Sequence, residues 1–430
     1  MAIVNSNLAL PAAQQRSYAG ALAAVTTLFF MWGFLTSLND ILVPHLKAIF
    51  DLNYAQVMLV QFSFFSAYLF FSIPAGKLID GIGYKNTMVA GLLAMALGAF
   101  LFIPAASAPS FPLFLTALIT LATGITALQV SANPYVAVLG PPRTSSSRLN
   151  LTQAVNSLGH TLAPYLGGLL ILSAAPRTAD EIHHLSAEAL RAYRLQEAAS
   201  VKLPYLGLAI ALLLLSGAIY LFRLPPLPQA RHALSTPAAA SQSLWRCRHL
   251  MLGVAGIFLY VGAEVSIGSF LVNYFGQSDI GNLPAKAASR LVPLYWGSAM
   301  AGRFIGSAIL RKLRPQLVLG FAAVMAASLV CTSILLSGRL AMTSILAVGL
   351  FNSVMFPTIF TLAIAGLGPL TGDASGVLIT AIVGGAIVPE IQGLLADRIG
   401  IHHAFIIPAL CYLYVFFYAW KGWRPHNTSP

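Results

Sequence analysis

Long, almost uninterrupted apolar stretches recur along the chain, as in Phe64 to Ile73, Gly91 to Ile103 and Leu206 to Phe222, with turn residues and charges between them. A helix needs about 20 apolar residues to cross roughly 30 Å of hydrocarbon, whereas a barrel strand alternates in polarity over about ten. The runs therefore predict membrane-spanning helices near 20 to 46, 54 to 79, 84 to 105, 108 to 139, 147 to 174 and 201 to 223. A Pro-, Ala- and Ser-rich connector, Leu224 to Gln242, follows, and further spans are predicted near 249 to 276, 286 to 311, 315 to 336, 340 to 367, 372 to 396 and 401 to 421. The expected fold class is all-α integral membrane, twelve transmembrane helices in two pseudo-symmetric six-helix bundles. The expected division is a tail at 1–19, a first bundle at 20–223, a connector at 224–248, a second bundle at 249–421 and a tail at 422–430.

Two internal repeats support duplication. Gly76, Leu78, Asp80 and Gly83 follow Pro74 at the end of the second span. Gly393, Leu395, Asp397 and Gly400 follow Pro389 with the same internal spacing at the end of the eleventh. Gln129 stands five residues before Pro134 in span four, and Asn352 five before Pro357 in span ten. Duplicated bundles of this kind rock about a site near the bilayer midplane.

Composition sharpens the class. Of 430 residues, 58% are hydrophobic and 8% charged, against roughly a quarter charged in soluble proteins. A formal net charge of +12 suggests nucleic acid only until the basic residues are placed: they sit in loops, no basic face is interleaved with aromatics, and their reading is topogenic charge beside anionic lipid. With the N-terminus inside, Lys77, Lys85, Arg143, Arg148, Arg311, Lys312 and Arg314 fall on the cytoplasmic side, and both termini are expected there. The opening residues, polar and small up to Gly20, read as a cytoplasmic tail and not a removed signal peptide. Cys247, Cys331 and Cys411 lie far apart, which argues against a disulfide framework or structural zinc.

An ionisable side chain at the centre of a membrane helix costs at least about 2.5 kcal/mol, so each needs a partner, a proton or a function. Asp40 in span one and Glu264 in span seven are the deeply placed acids, with Glu390 a third candidate in span eleven. Asp40 can act as a proton carrier as the cavity opens to alternate sides, or it is an Asp fixed by hydroxyls near the outer end of its span. Glu264, with Tyr260 one turn earlier on the same face, is a second titrating group, an acceptor for substrate hydroxyls, or a packing glutamate bonded across the bundle. The amides Gln129, Asn133, Gln153, Asn156, Asn273 and Asn352 each donate and accept, as sugar hydroxyls do, and together suit a neutral polyol; singly, any of them serves equally as interhelical glue. Trp32, Phe34, Tyr295 and Trp296 offer ring faces for the C–H side of a sugar, or lipid anchors. Gly76, Asp80 and Lys85 in the loop between spans two and three read as a conformational latch. Arg303 in span eight is a gating cation or snorkels to the headgroups.

The loop from Gly76 to Lys85 resembles the signature of the major facilitator superfamily. More narrowly, the chain resembles the bacterial fucose, galactose and glucose: proton symporter family. The segments that carry this are Leu38 to His45, Ala132 to Gly140, Arg148 to Gly159, the stretch around Glu264, and Ile382 to Pro389. The resemblance covers nearly the whole chain. It implies import of a monosaccharide driven by the proton gradient, with Asp40 matching an aspartate essential to coupling. It also implies sugar contacts from spans four and five, where Gln129 and Gln153 fall at sugar-site positions. Asn39, beside Asp40, joins the expected sugar-binding set. One departure stands out: the fucose member has a glutamate where this chain has Gln129, which cannot titrate. The glucose/galactose and N-acetylglucosamine branches are more similar there.

The expected function is secondary active import of a monosaccharide by symport with a proton, with sodium the alternative coupling ion and an exporter of another small solute the competing reading. No cofactor or metal is expected, and neither is enzymatic activity, since no nucleophile, base and orienting group cluster. The expected partners are a small sugar and the bilayer, without nucleic acid, and the expected state is a monomer in a bacterial inner membrane.

Overall fold

The computed structural model describes residues 12–50, 54–107, 110–171, 185–227 and 244–424. With no water in hydrocarbon, every backbone amide must be satisfied within its own helix. Accordingly, each predicted span is helical. α1 covers Ala12–Phe50. A continuous helical stretch, Tyr54–Ser107, holds α2 and α3, divided at Gly83 (φ 84°, ψ 165°). α4 is Phe111–Val138, α5 Ser145–Ile171 and α6 Lys202–Leu221. In the second half α7 is Arg248–Phe275, α8 Val292–Ile309 and α9 Pro315–Leu335. α10 runs as Gly338–Asn352 and Met355–Ala363, α11 as Thr371–Thr380 and Gly384–Ile399, and α12 from Ile401 through Phe417 into a π-helical last turn.

Nine stretches of the described residues are long and apolar enough to cross a bilayer. One of them, Phe62–Ser107, holds both α2 and α3. The two spans outside that set are α5 and α8, whose apolar character is diluted by Asn150, Gln153, Asn156 and His160 in one and Arg303 in the other. These two spans pack against each other across the halves, and Asn150, Gln153 and Arg303 face that seam while Leu162, Phe304 and Ile305 lie on the exposed face. One helix, Ala187–Ser200, lies in the segment between α5 and α6; it starts at a Ser186 cap that accepts from the Ala189 amide.

The repeat between spans two and eleven is visible in the backbone. Gly400 closes α11 at φ 85°, ψ 154°, nearly the conformation of Gly83, a left-handed turn that favours glycine. Because α2 and α11 run in opposite directions, the two turns lie at opposite ends of the bundle, as in nested inverted repeats.

The halves meet most closely at the end that carries Gly83. There the Ser146 and Thr361 hydroxyls share a hydrogen bond of 2.6 Å, Ser147 donates to the Ser307 carbonyl at 2.7 Å, and Ser375 donates to the Val130 carbonyl at 2.7 Å. A Cβ on Gly376 would sit 2.8 Å from the Ser72 carbonyl oxygen, so α2 and α11 touch backbone to backbone. The seam is sealed by small residues and hydroxyls, which allow close approach without greasy interdigitation.

Candidate functional site

The polar centre is built on four spans of the first half and four of the second. In the first half, Gln129 on α4 is buried and its Nε2 donates to the Tyr68 hydroxyl of α2 at 2.8 Å. One turn along α4, the buried Asn133 accepts at 3.4 Å from Nε2 of Gln153 on α5, while its own Nδ2 is buried with no hydrogen-bond partner. Asn156, also buried, donates from Nδ2 to the Phe29 carbonyl of α1 at 2.8 Å. That bond is possible because Gly33 and Gly159 bring the two backbones together: a Cβ on either would lie 2.3–2.4 Å from a carbonyl oxygen of the facing helix. The Asn156 amide is therefore interhelical glue through its nitrogen, with its oxygen left to accept.

In the second half, Asn352 on α10 donates from Nδ2 to the Tyr295 hydroxyl of α8 at 2.8 Å. Tyr295 passes the chain on by donating to the Glu264 backbone carbonyl of α7 at 3.2 Å. The Tyr260 hydroxyl pairs with the Glu264 carboxyl one turn on. Glu264 Oε1 is buried with no hydrogen-bond partner, and the buried Asn352 Oδ1 and Tyr412 hydroxyl of α12 have only each other within reach. Unpaired buried polar atoms are costly, and their concentration here marks a place built to receive hydroxyls or protons.

Arg303 joins the halves. Its Nη2 lies 3.9 Å from Glu264 Oε1, while Nη1 donates to the Ser157 hydroxyl and, at 3.5 Å, to the Gln153 carbonyl of α5. His160, one turn beyond Asn156, lies within electrostatic reach of the same guanidinium. Arg303 is thus turned inward, with its side chain 15% exposed, and does not extend to the membrane surface.

Of the expected site residues, Gln129, Asn133, Gln153, Asn156, Tyr260, Glu264, Asn352 and Arg303 fall in this central region. Asn273 does not. It sits nine residues beyond Glu264, about 13 Å along the helix, and lines a groove of about 480 Å³ with Gln277, Glu390 and Asp397 at the Gly400 end. Asn39 and Asp40 fall on α1, and their side chains lie outside the described residues. In the latch, Gly76 packs on the backbone of Gly372 and Asp373, Asp80 lies beside Gly372, and the Lys85 ammonium stands 5.6 Å from the centre of the Tyr220 ring. Sequence reasoning missed Tyr68, Ser157 and His160, and gave Tyr295 only as a ring face. Helical spacing from Gln153 and Asn156 places Ser157 and His160 on the same side of α5, which is the signal that could have found them.

A family model described as Major Facilitator Superfamily matches residues 22–389. The chain belongs to the Major Facilitator Superfamily. Within it, the chain is 50% identical to the glucose/galactose transporter of Brucella abortus biovar 1 (strain 9-941) over 418 residues, covering 97% of this chain and 98% of that one. It is 36% identical to the L-fucose-proton symporter of Escherichia coli (strain K12), covering 95% and 94%. A crystal structure of a superfamily transporter, FucP, in the outward conformation superposes with a TM-score of 0.87 at 35% identity, covering 94% of this chain and 99% of that chain. The twelve-helix superfamily fold follows, and so does membership of a family of transporters and not of enzymes. The sealed Gly83 end agrees with that outward likeness.

Proposed function

We propose that this superfamily member imports a monosaccharide by symport with a proton. The observation that carries the reading is the run of amides and hydroxyls from Gln129 and Tyr68 through Asn133 and Gln153 to Arg303 and Glu264, buried where the two halves meet. Groups that both donate and accept match sugar hydroxyls, which do the same. The named relatives, a glucose/galactose transporter and a fucose-proton symporter, support this substrate class and ion.

In this reading the Gly83 end faces the cytoplasm, as the basic loops suggest, and the seal there keeps the site open to the outside. Sugar enters and is held by Gln129, Gln153 and the free faces of Asn133 and Asn156. Asp40 on α1 takes the proton. With both bound, the seal between α2 and α11 and between α5 and α8 opens, the opposite ends close, and sugar and proton leave inward. Gln129 cannot titrate, so Glu264 is the second carboxyl of the coupling scheme. The bundles at 20–223 and 249–421 are the rocking units, both termini are cytoplasmic, and the protein works as a monomer in the inner membrane.

The test is counterflow of labelled glucose, galactose and N-acetylglucosamine in proteoliposomes, followed by pH-clamped uptake with and without sodium. Exchange of a hexose, with uptake stimulated by external acid, is the expected result. Sodium stimulation without an acid effect would replace the proton by sodium; no exchange of any hexose would favour the exporter.

A further inference from the structure

Arg303 is the one described cation that touches both halves at the polar centre, and its five N–H donors are unevenly spent. Nη1 is committed to α5, through the Ser157 hydroxyl and the Gln153 carbonyl. Nη2 stands 3.9 Å from Glu264 Oε1, beyond hydrogen-bond length, and both that oxygen and Arg303 Nε are buried without a hydrogen-bond partner. A shift of about 1 Å would complete the charge-assisted pair that arginine and carboxylate normally make. The guanidinium is held short of its carboxylate by its bonds to the other half.

We propose that Arg303 is the switch through which protonation of Glu264 locks the two halves together. This rests on the proton-coupled reading above. While Glu264 is ionised it draws the guanidinium into the second half and loosens the grip on α5. When Glu264 takes up a proton, the attraction is lost, Arg303 stays on Ser157 and Gln153, and the sealed Gly83 end is favoured. A proton taken from outside thereby holds the carrier outward-facing until sugar arrives. Arg303 acts here as a positioning residue: its work is done on the helices and not on the solute.

Several groups share the environment of Glu264. Tyr260 lies on its own helix, Tyr295 and Arg303 on α8, Tyr412 on α12 and, across the seam, His160 on α5. The phenols are ordinarily neutral at physiological pH. His160 and, across the seam at the Gly83 end, the Asp80–Asp373 pair are the competitors that must be excluded.

The distance between the halves reports the switch without any sugar. Spin labels at Ile82→Cys and Leu313→Cys, both exposed and on opposite halves at the Gly83 end, are introduced after Cys247, Cys331 and Cys411 are replaced by alanine and Asp40, Asp80 and Asp373 by asparagine, so that the other carboxyls able to titrate at either site are removed. In the otherwise native protein the closed population should rise as the pH falls. Glu264→Gln should be closed at every pH. Arg303→Gln should lower the closed-to-open ratio about tenfold and lose the pH response, and adding Glu264→Gln should change nothing more. Arg303→Lys, which keeps the charge without the fork, should retain a pH response at a lower closed population, and His160→Gln should retain it fully. A pH response that survives in Glu264→Gln, or that disappears in His160→Gln, overturns the switch. Because the readout is distance and not transport, a failed counterflow assay would overturn the sugar reading separately.

Discussion

The Asn352 carboxamide donates to the Tyr295 hydroxyl at 2.8 Å, the same bond and the same length that Gln129 makes to Tyr68. The first joins α10 to α8, the second α4 to α2, which are corresponding pairs when one half is laid on the other. The two halves thus keep a common tyrosine–amide tie while differing around it: the first half surrounds it with further amides, the second with a carboxylate and an arginine. Under the proposed function, solute recognition and charge handling fall to different copies of one design.

Replacing Tyr295 by Phe leaves the Asn352 Nδ2 buried without an acceptor. Tyr295→Phe should therefore cost about 1–3 kcal/mol of stability, read as a lower thermal midpoint in detergent. Asn352→Leu, combined with it, should recover part of that loss, because no polar atom of the pair is then stranded.

Asp40→Asn removes a titrating group and keeps its volume. Uphill accumulation driven by a pH gradient should be abolished, while counterflow of the same sugar proceeds within about tenfold of the native rate. Accumulation that survives in this variant would remove Asp40 from coupling.

Gly376 has no room for a side chain: a Cβ there would lie 2.8 Å from the Ser72 carbonyl oxygen and 3.3 Å from the Ile73 Cα. Gly376→Val should prop the Gly83 end open. A cysteine placed at Ser147, on the same seam, should then be alkylated at least about tenfold faster by an impermeant maleimide in inside-out vesicles.

Gly400 differs, since a Cβ there meets nothing within 4 Å yet φ is 85°. Gly400→Ala should cost only the backbone strain of a conformation essentially confined to glycine (φ 85°, ψ 154°), about 1–3 kcal/mol, and should lower the thermal midpoint without altering sugar exchange.

Most of the fold was legible because lipid imposes one rule on every span. Runs of apolar residues gave twelve helices, and Gly83 and Gly400 marked turns by spacing alone. The break of α10 at 353–354 and the short 3-10 turn at 381–383 in α11 were not legible: Asn352 and Ser353 fit a polar-site helix as well as its end, and Ala381, Ile382 and Val383 are apolar throughout. In the site, the amides stood out individually as expensive residues in an apolar helix. Their partners did not. Tyr68 and Ser157 are unremarkable in their own spans, and only the crossing of α2 with α4 and of α5 with α8 gives them meaning. Asn273 shows the converse: an amide of the right type whose position along α7 carries it to the rim.

The tie between Asn156 and the Phe29 carbonyl, with Gly33 and Gly159 pressed together beside it, makes α1 and α5 a single stiff lever. That lever bears Asp40 on one limb and Gln153 on the other. Under the proposed function, where Asp40 takes the proton and Gln153 holds the sugar, the two seats swing in step, and neither is presented to a compartment by itself. A carrier working in this way resists idling, because an ion that moves its own seat must move the solute's seat with it.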